Sequence, residues 1–94
     1  MLKSAQSVRE DGSVIALKLL GFLAADDELL GRFMGLSGLS PDELKRRIAD
    51  PIFQAAVLDF ALADESLLVA FAANAGIIPA SIMQARSKMP GFSQ

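Results

Sequence analysis

Cysteine, histidine, tryptophan and tyrosine are all absent from this 94-residue sequence. Without cysteine there is no disulfide framework and no thiol chemistry, and without histidine the usual catalytic base is missing as well. The same two absences remove the soft metal ligands. Because the remaining carboxylates, hydroxyls, lysines and arginines carry acid–base chemistry mainly in close pairs, we expect a non-enzymatic protein with no metal site and no cofactor.

An excess of charge and a long apolar run are also missing. Eleven acidic and nine basic residues leave a net charge of −2, which gives no general attraction to nucleic acid or anionic lipid. The apolar run at residues 14–25 is twelve residues long and contains Lys18, whereas a membrane span needs about 20 mostly apolar residues. Residues 1–13 are too polar for a signal peptide, and residues 1–10 are expected to form a mobile N-terminal end. No membrane association is expected.

Apolar residues are abundant for so small a chain. They make up 52% of the sequence, and the mean hydropathy is +0.40. Alanine, which suits close helix packing, accounts for much of this excess but not all of it. An apolar surface that a small domain cannot bury by itself is typical of a protein contact, so the expected partner is a protein, either a second copy in a homodimer or a different chain.

Capping signals divide residues 11–94 into five to six short helices. The strongest is Ser40-Pro41-Asp42-Glu43, in which serine suits the N-cap, proline the first helical position and glutamate the capping box. The first helix, from Asp11 or Ser13 to Ala25, has apolar residues at helical spacing. Those apolar residues are Val14, Leu17, Leu20 and Ala24. The predicted limits are Asp26 and Gly38 for the second helix, Asp50 and Leu62 for the fourth, Asp64 and Gly76 for the fifth, and Pro79 and Lys88 for the sixth. The prediction is a single all-α domain with the form of a compact bundle.

The capping signals recur at an offset of 38 residues. Residues 13–50 align with 51–88, and the alignment matches acidic caps, turn glycines, prolines and phenylalanines as well as leucines. Such a repeat predicts two pseudo-symmetric three-helix units packed about a twofold axis, each covering the apolar face of the other. The alternative is that helices of similar length share leucine spacing by chance. Matched pairs include Phe22/Phe60, Asp26/Asp64, Phe33/Phe71, Gly38/Gly76 and Pro41/Pro79.

The second copy carries the more apolar helices. Residues 51–62 and 67–75 are interrupted only by Gln54, Asp59 and Asn74, so we expect the fourth and fifth helices to form a central hairpin. A partner helix would lie in a groove between the two units or along the fourth helix. The residues of this chain that hold the partner helix would be Phe53 and Val57, at i and i+4 of the fourth helix. This assignment requires both side chains to be accessible in the monomer.

The alternative function is nucleic-acid binding by a helix–turn–helix at residues 71–88. The apolar and small residues around the turn Gly76 have the spacing of that motif, although any two helices joined by a glycine turn resemble it. The acidic Asp42 and Glu43 would repel phosphate in the first copy. The polar and basic residues available for contact are Lys45, Arg46, Arg47, Gln84, Arg86 and Lys88.

Three segments resemble a known family of short bacterial helical proteins. They are ALKLLGFLAAD (16–26), GLSPDEL (38–44) and DPIFQAAVLDFALADESLLVAFAANAG (50–76), and the similarity extends from about residue 12 to residue 91. The family is domain of unknown function 3572. The resemblance implies a bacterial, cytoplasmic, stand-alone helical domain. It brings no activity, substrate or site residues with it.

Overall fold

A computed structural model describes residues 11–89 and residue 91, so the predicted mobile end at residues 1–10 lies outside the described chain. The predicted all-α class is confirmed, with six helices and no strand among the described residues. The helices are α1 (Gly12–Ala24), α2 (Asp27–Ser37), α3 (Pro41–Arg47), α4 (Pro51–Leu62), α5 (Glu65–Ala75) and α6 (Pro79–Ser87).

The predicted capping residues begin and end these helices. The Asp26 carboxylate accepts hydrogen bonds from the backbone N–H groups of Glu28 and Leu29 at 3.0 and 3.2 Å. Ser40 and Glu43 form a reciprocal capping box at the start of α3. At the other ends of α2 and α5, Gly38 and Gly76 each adopt a φ of 72°, a left-handed conformation that favours glycine. Local chemistry therefore fixes the helix boundaries.

The central pair of the fold is α1 with α4, which corrects the predicted hairpin of the fourth and fifth helices. The contact between α1 and α4 is the most extensive between any two helices. Helix α5 lies at the outside, where it buries Leu67, Phe71 and Ala72 and leaves Val69 exposed. Its apolar character comes partly from alanine, which is exposed at little cost. The buried residues of the central pair are Gly12, Ile15, Ala16, Leu19, Leu20, Leu23; Phe53, Gln54, Ala55, Val57, Leu58 and Ala61.

Helix α1 has two apolar stripes, and the structure buries the one that the sequence did not single out. Its core face consists of Ile15, Leu19 and Leu23, each at most 1% exposed. From the predicted set Val14, Leu17, Leu20 and Ala24, only Leu20 is buried. Val14 and Leu17 are 42% and 46% exposed. A helix with apolar residues on more than half its circumference does not reveal its core face by spacing alone.

The two aligned segments differ most at their third helices. The paired helices have similar lengths, and the caps Asp26 and Asp64 share an extended conformation. Helix α6, however, buries Ile82, Ala85 and Arg86, whereas no residue of α3 is buried. The two segments therefore contribute unequally to the core.

No single helix among the described residues is long and apolar enough to cross a membrane. Helices α5 and α6 reach the required length and composition only when taken together, and they are bent by 103° at the connecting turn. Three residues, Gly76, Ile77 and Ile78, join them.

An ion pair between α2 and the start of α5 predicts a pH dependence of stability. Arg32 Nη2 lies 2.9 Å from Asp64 Oδ2, and this hydrogen bond is the main cause that lowers the pKa of Asp64. A lowered pKa in the folded state stabilises the fold above the unfolded pKa of about 3.9, and the stabilisation is lost as the pH falls through the folded pKa.

We therefore expect the Asp64→Asn variant to unfold at a lower temperature than the parent at pH 6. Asparagine preserves an N-cap oxygen but not the ion pair. The difference in unfolding temperature should shrink below about pH 4, as the parent carboxylate becomes protonated. Thermal unfolding followed by circular dichroism from pH 6 to pH 2 measures it. A difference that stays constant over this range would contradict the assignment.

Candidate functional site

An open apolar groove lies between α1, α2 and α3. Its volume is about 430 Å³, within the usual range for binding pockets. Helix α1 forms the floor of the groove and α2 and α3 form its two walls, and the only charged residue in the lining is Lys45. The lining consists of Leu17, Leu20, Gly21, Ala24, Leu30, Met34, Pro41, Leu44, Lys45 and Ile48.

The aligned positions of the second segment are closed rather than open. Leu17 aligns with Ala55, which is only 3% exposed, and Leu44 aligns with the fully buried Ile82. In the first segment, Leu44 is only half-buried. At these two positions, a core residue in the second half of the chain corresponds to a groove residue in the first.

A charged contact accompanies closure of the second segment. Asp59 Oδ1 lies 2.7 Å from Arg86 Nε, and Asp59 Oδ2 lies 3.2 Å from Arg86 Nη2, which gives a bidentate ion pair between α4 and α6. The aligned residues in the first segment are Gly21 and Ile48. A glycine and an isoleucine cannot form an ion pair, so α3 and α1 lack the contact that joins α6 to α4.

Glycine at position 21 leaves the floor of the groove open. A Cβ atom placed on Gly21 would meet nothing within 4 Å outside its own helix backbone. This residue is exposed in the middle of α1, where glycine is unfavourable for helix formation. A side chain at this position would project into empty space that the present sequence leaves accessible.

The one charge in the groove lining is positive and belongs to α3. Lys45 belongs to the lining, and the exposed Arg46 and Arg47 follow it on the last turn of α3. Glu43, from the same helix, accepts a hydrogen bond from the Ser40 backbone N–H at 2.9 Å. This bond lowers the pKa of Glu43 and holds its carboxylate at the start of the helix.

The C-terminal end of α3 is attached to the core by a buried amide. Gln54, only 6% exposed, donates a hydrogen bond from Nε2 to the backbone carbonyl of Ile48 at 2.9 Å. This bond satisfies a polar side chain inside α4 and holds Ile48 beside the groove. It fixes one end of α3 although no residue within that helix is buried.

The predicted anchors Phe53 and Val57 are not accessible. Their exposed fractions are 6% and 0%, and the Phe53 ring packs edge-on against Phe33 with centroids 6.0 Å apart. Because the proposed contact required both to be accessible in the monomer, they are not the residues that meet a partner. The large apolar residue that is exposed on α4 is Ile52. Both anchors are buried because α4 packs against α1 along its length.

The predicted nucleic-acid residues are divided between the surface and the core. Arg86 is 5% exposed and forms the ion pair with Asp59, so its assignment as a nucleic-acid contact is corrected. The others are exposed, on α3 and near the end of α6, namely Lys45, Arg46, Arg47, Gln84 and Lys88. The 103° angle between α5 and α6 falls within the range of helix–turn–helix motifs.

A second cleft lies between α1 and α5, on the other side of Gly21. Its volume is about 540 Å³, and it is bounded by Lys18, Asp26 and Asn74 as well as apolar residues. Asp26 is occupied there as the N-cap of α2. Among the residues that the structure describes, no three acidic side chains are grouped closely enough to hold a metal ion.

A comparison with known families adds one assignment. A family described as "Protein of unknown function (DUF3572)" matches residues 9–92, nearly the whole chain. The chain belongs to this family. The description of DUF3572 names no activity, and no curated protein or solved structure matches the chain. The function of this DUF3572 member must therefore be argued from the geometry of its groove.

The sequence contained a signal for the groove. The stripe of Val14, Leu17, Leu20 and Ala24 was used only to predict a helix, and Leu17, Leu20 and Ala24 line the groove. Ile48 was not considered at all. Comparing Gly21 and Ile48 with their aligned residues Asp59 and Arg86 would have indicated that only one segment has a closing ion pair.

Proposed function

We propose that this chain is a non-catalytic module that binds another protein in the groove between α1, α2 and α3. The observation that carries the proposal is that Leu17 and Ile48 stay 46% and 36% exposed at positions whose aligned residues are buried. Exposed apolar side chains gathered around a concavity gain free energy when a partner removes them from water.

The roles of the polar side chains support a non-catalytic protein. The carboxylates of Asp11, Asp26, Asp50 and Asp64 accept hydrogen bonds from backbone N–H groups at helix starts. Asp59 and Asp64 are further engaged with arginines. These interactions stabilise helix ends and helix contacts, which gives these five carboxylates structural roles rather than roles in acid–base chemistry.

Affinity capture from a lysate of the source organism tests the proposal, with and without nuclease. We expect specific proteins to be retained after nuclease treatment, because an apolar groove recognises protein surfaces rather than phosphates. A Leu17→Ser, Ile48→Ser double variant, altered only at exposed groove positions, should retain less of the same proteins. Capture that is lost entirely on nuclease treatment would refute the proposal.

Nucleic-acid binding by α5 and α6 is the second candidate, favoured by the 103° angle and the three-residue turn. Burial of Arg86 against Asp59 and the net negative charge weigh against it. A fluorescence titration with duplex DNA at low salt separates the two functions. A dissociation constant higher than about 10⁻⁴ M means binding weaker than ordinary non-specific binding to DNA, and it would eliminate this candidate.

A further inference from the structure

The groove lining indicates what kind of protein segment it accepts. We infer that the groove binds an amphipathic helix of a different protein, with three apolar side chains on one face and acidic side chains on the flank that meets Lys45. This inference rests on the proposed function and specifies the partner of the same site. It follows from the length of the groove, its floor and its charge.

The length of the groove matches about two turns of helix. Leu17, Gly21 and Ala24 follow one another along the exposed stripe of α1, and the seven residue steps from Leu17 to Ala24 span about 10.5 Å. A partner helix with apolar residues at i, i+3 or i+4, and i+7 covers the same distance. Val14, exposed on the same stripe, extends the apolar contact by nearly one more turn.

The floor of the groove permits the close approach of a backbone. Gly21 and Ala24 are its smallest residues, and no neighbouring atom fills the space above Gly21. Larger apolar side chains on both walls, Leu30 and Leu44 among them, surround this floor. A helix with aliphatic anchors fits such a channel because its side chains enter between the walls while its backbone lies over the small residues.

Charge complementarity specifies the flank of the partner. Lys45 is the single charged residue of the lining. Asp42 and Glu43 belong to the same helix but not to the lining, and Glu43 is held by its hydrogen bond to Ser40. An acidic flank on the bound helix therefore meets positive charge, and a basic flank meets repulsion.

Two synthetic 14-residue helical peptides test the inference against the full chain. Both carry leucine at i, i+4 and i+7, and one has three glutamates along a flank where the other has three lysines. Fluorescence anisotropy measures their binding. We expect the glutamate peptide to bind roughly tenfold more tightly than the lysine peptide, a difference of one decade in dissociation constant. The Lys45→Glu variant should reverse this preference, while Lys88→Glu, outside the groove, should leave it unchanged.

A Gly21→Leu variant blocks the groove without disturbing the core. Leucine favours helix over glycine, so the variant should unfold at the same or a higher temperature than the parent. Its affinity for the glutamate peptide should fall at least roughly tenfold, because the new side chain occupies the floor. Gly35→Leu is the matched control, since Gly35 is also an open helical glycine but lies outside the lining.

Three outcomes would overturn the inference. The first is no binding of the glutamate peptide up to about 1 mM, the weak end of measurable affinities. The second is equal binding by the parent and the Gly21→Leu variant. The third is a parent that forms a dimer in light scattering and a Gly21→Leu variant that is a monomer, which would make a second copy the occupant. After either of the first two outcomes, proteins that the parent retains after nuclease treatment and the Leu17→Ser, Ile48→Ser variant loses would still support the proposed function, whereas the third outcome would contradict it as well.

Discussion

Replacing Phe71 by alanine is expected to destabilise the fold by about 4 kcal/mol, the usual cost of removing a buried phenylalanine. Phe71 is 1% exposed, and its ring packs edge-on against Phe22 with centroids 5.6 Å apart. The change opens a cavity between α5 and α1 that the neighbouring helices cannot refill completely. For a domain of 94 residues, the loss corresponds to a fall in unfolding temperature of roughly 20 °C.

Chemical denaturation of Phe71→Ala and Val69→Ala provides the comparison. Val69 lies on the same helix but is 52% exposed, so its truncation should change the free energy of unfolding by less than about 0.5 kcal/mol. Helix propensity favours alanine in both variants, which leaves burial as the difference between them. Similar costs for the two variants would mean that α5 does not pack on the core as described.

Replacing Asp59 by alanine is expected to cost about 2 kcal/mol, because it removes the bidentate carboxylate from the guanidinium of Arg86. The arginine side chain is 7% exposed, whereas Asp59 is 55% exposed and shares its charge with solvent. The estimate is therefore lower than for a fully buried pair. Asp59→Asn, which retains one acceptor oxygen, should cost about half as much.

A double-mutant cycle with Arg86→Met isolates this contact from the other interactions of both residues. We expect a coupling free energy of at least about 1 kcal/mol, as residues that share a charged hydrogen bond are not additive. A coupling below about 0.3 kcal/mol would show that the pair does not hold α6 onto α4. The burial of α6 would then depend on its other contacts, those of Ile82 and Ala85 among them.

The helix boundaries were predictable because their causes are local in the sequence. Ser40 and Glu43 cap a helix through bonds that span three residues, and Gly38 ends another by its own backbone conformation. Such signals need no knowledge of which helices pack together. The choice of central pair depended instead on contacts between distant residues, and the apolar α5 was placed inside although Val69, Ala70 and Ala73 are exposed.

The groove was not predictable for a related reason. Leu17 and Leu20 are three residues apart on α1, yet Leu20 is 7% exposed and Leu17 is 46% exposed. Helical spacing places both on an apolar stripe and does not say which of them another helix covers. Which of the two residues is covered depends on how closely α3 approaches α1. The short length of α3 and its lack of an ion pair to α1 are informative only in comparison with α6.

The attachment of α3 affects how selective the groove is. The Gln54 amide holds this helix at its C-terminal end, and none of its residues belongs to the buried core. Displacing α3 slightly therefore disturbs few packed atoms, so occupants that differ in bulk are accommodated at similar cost. In the proposed complex, the charge of Lys45 rather than the shape of the groove then discriminates between occupants. Such a groove selects its partners by their charge and not by one particular sequence.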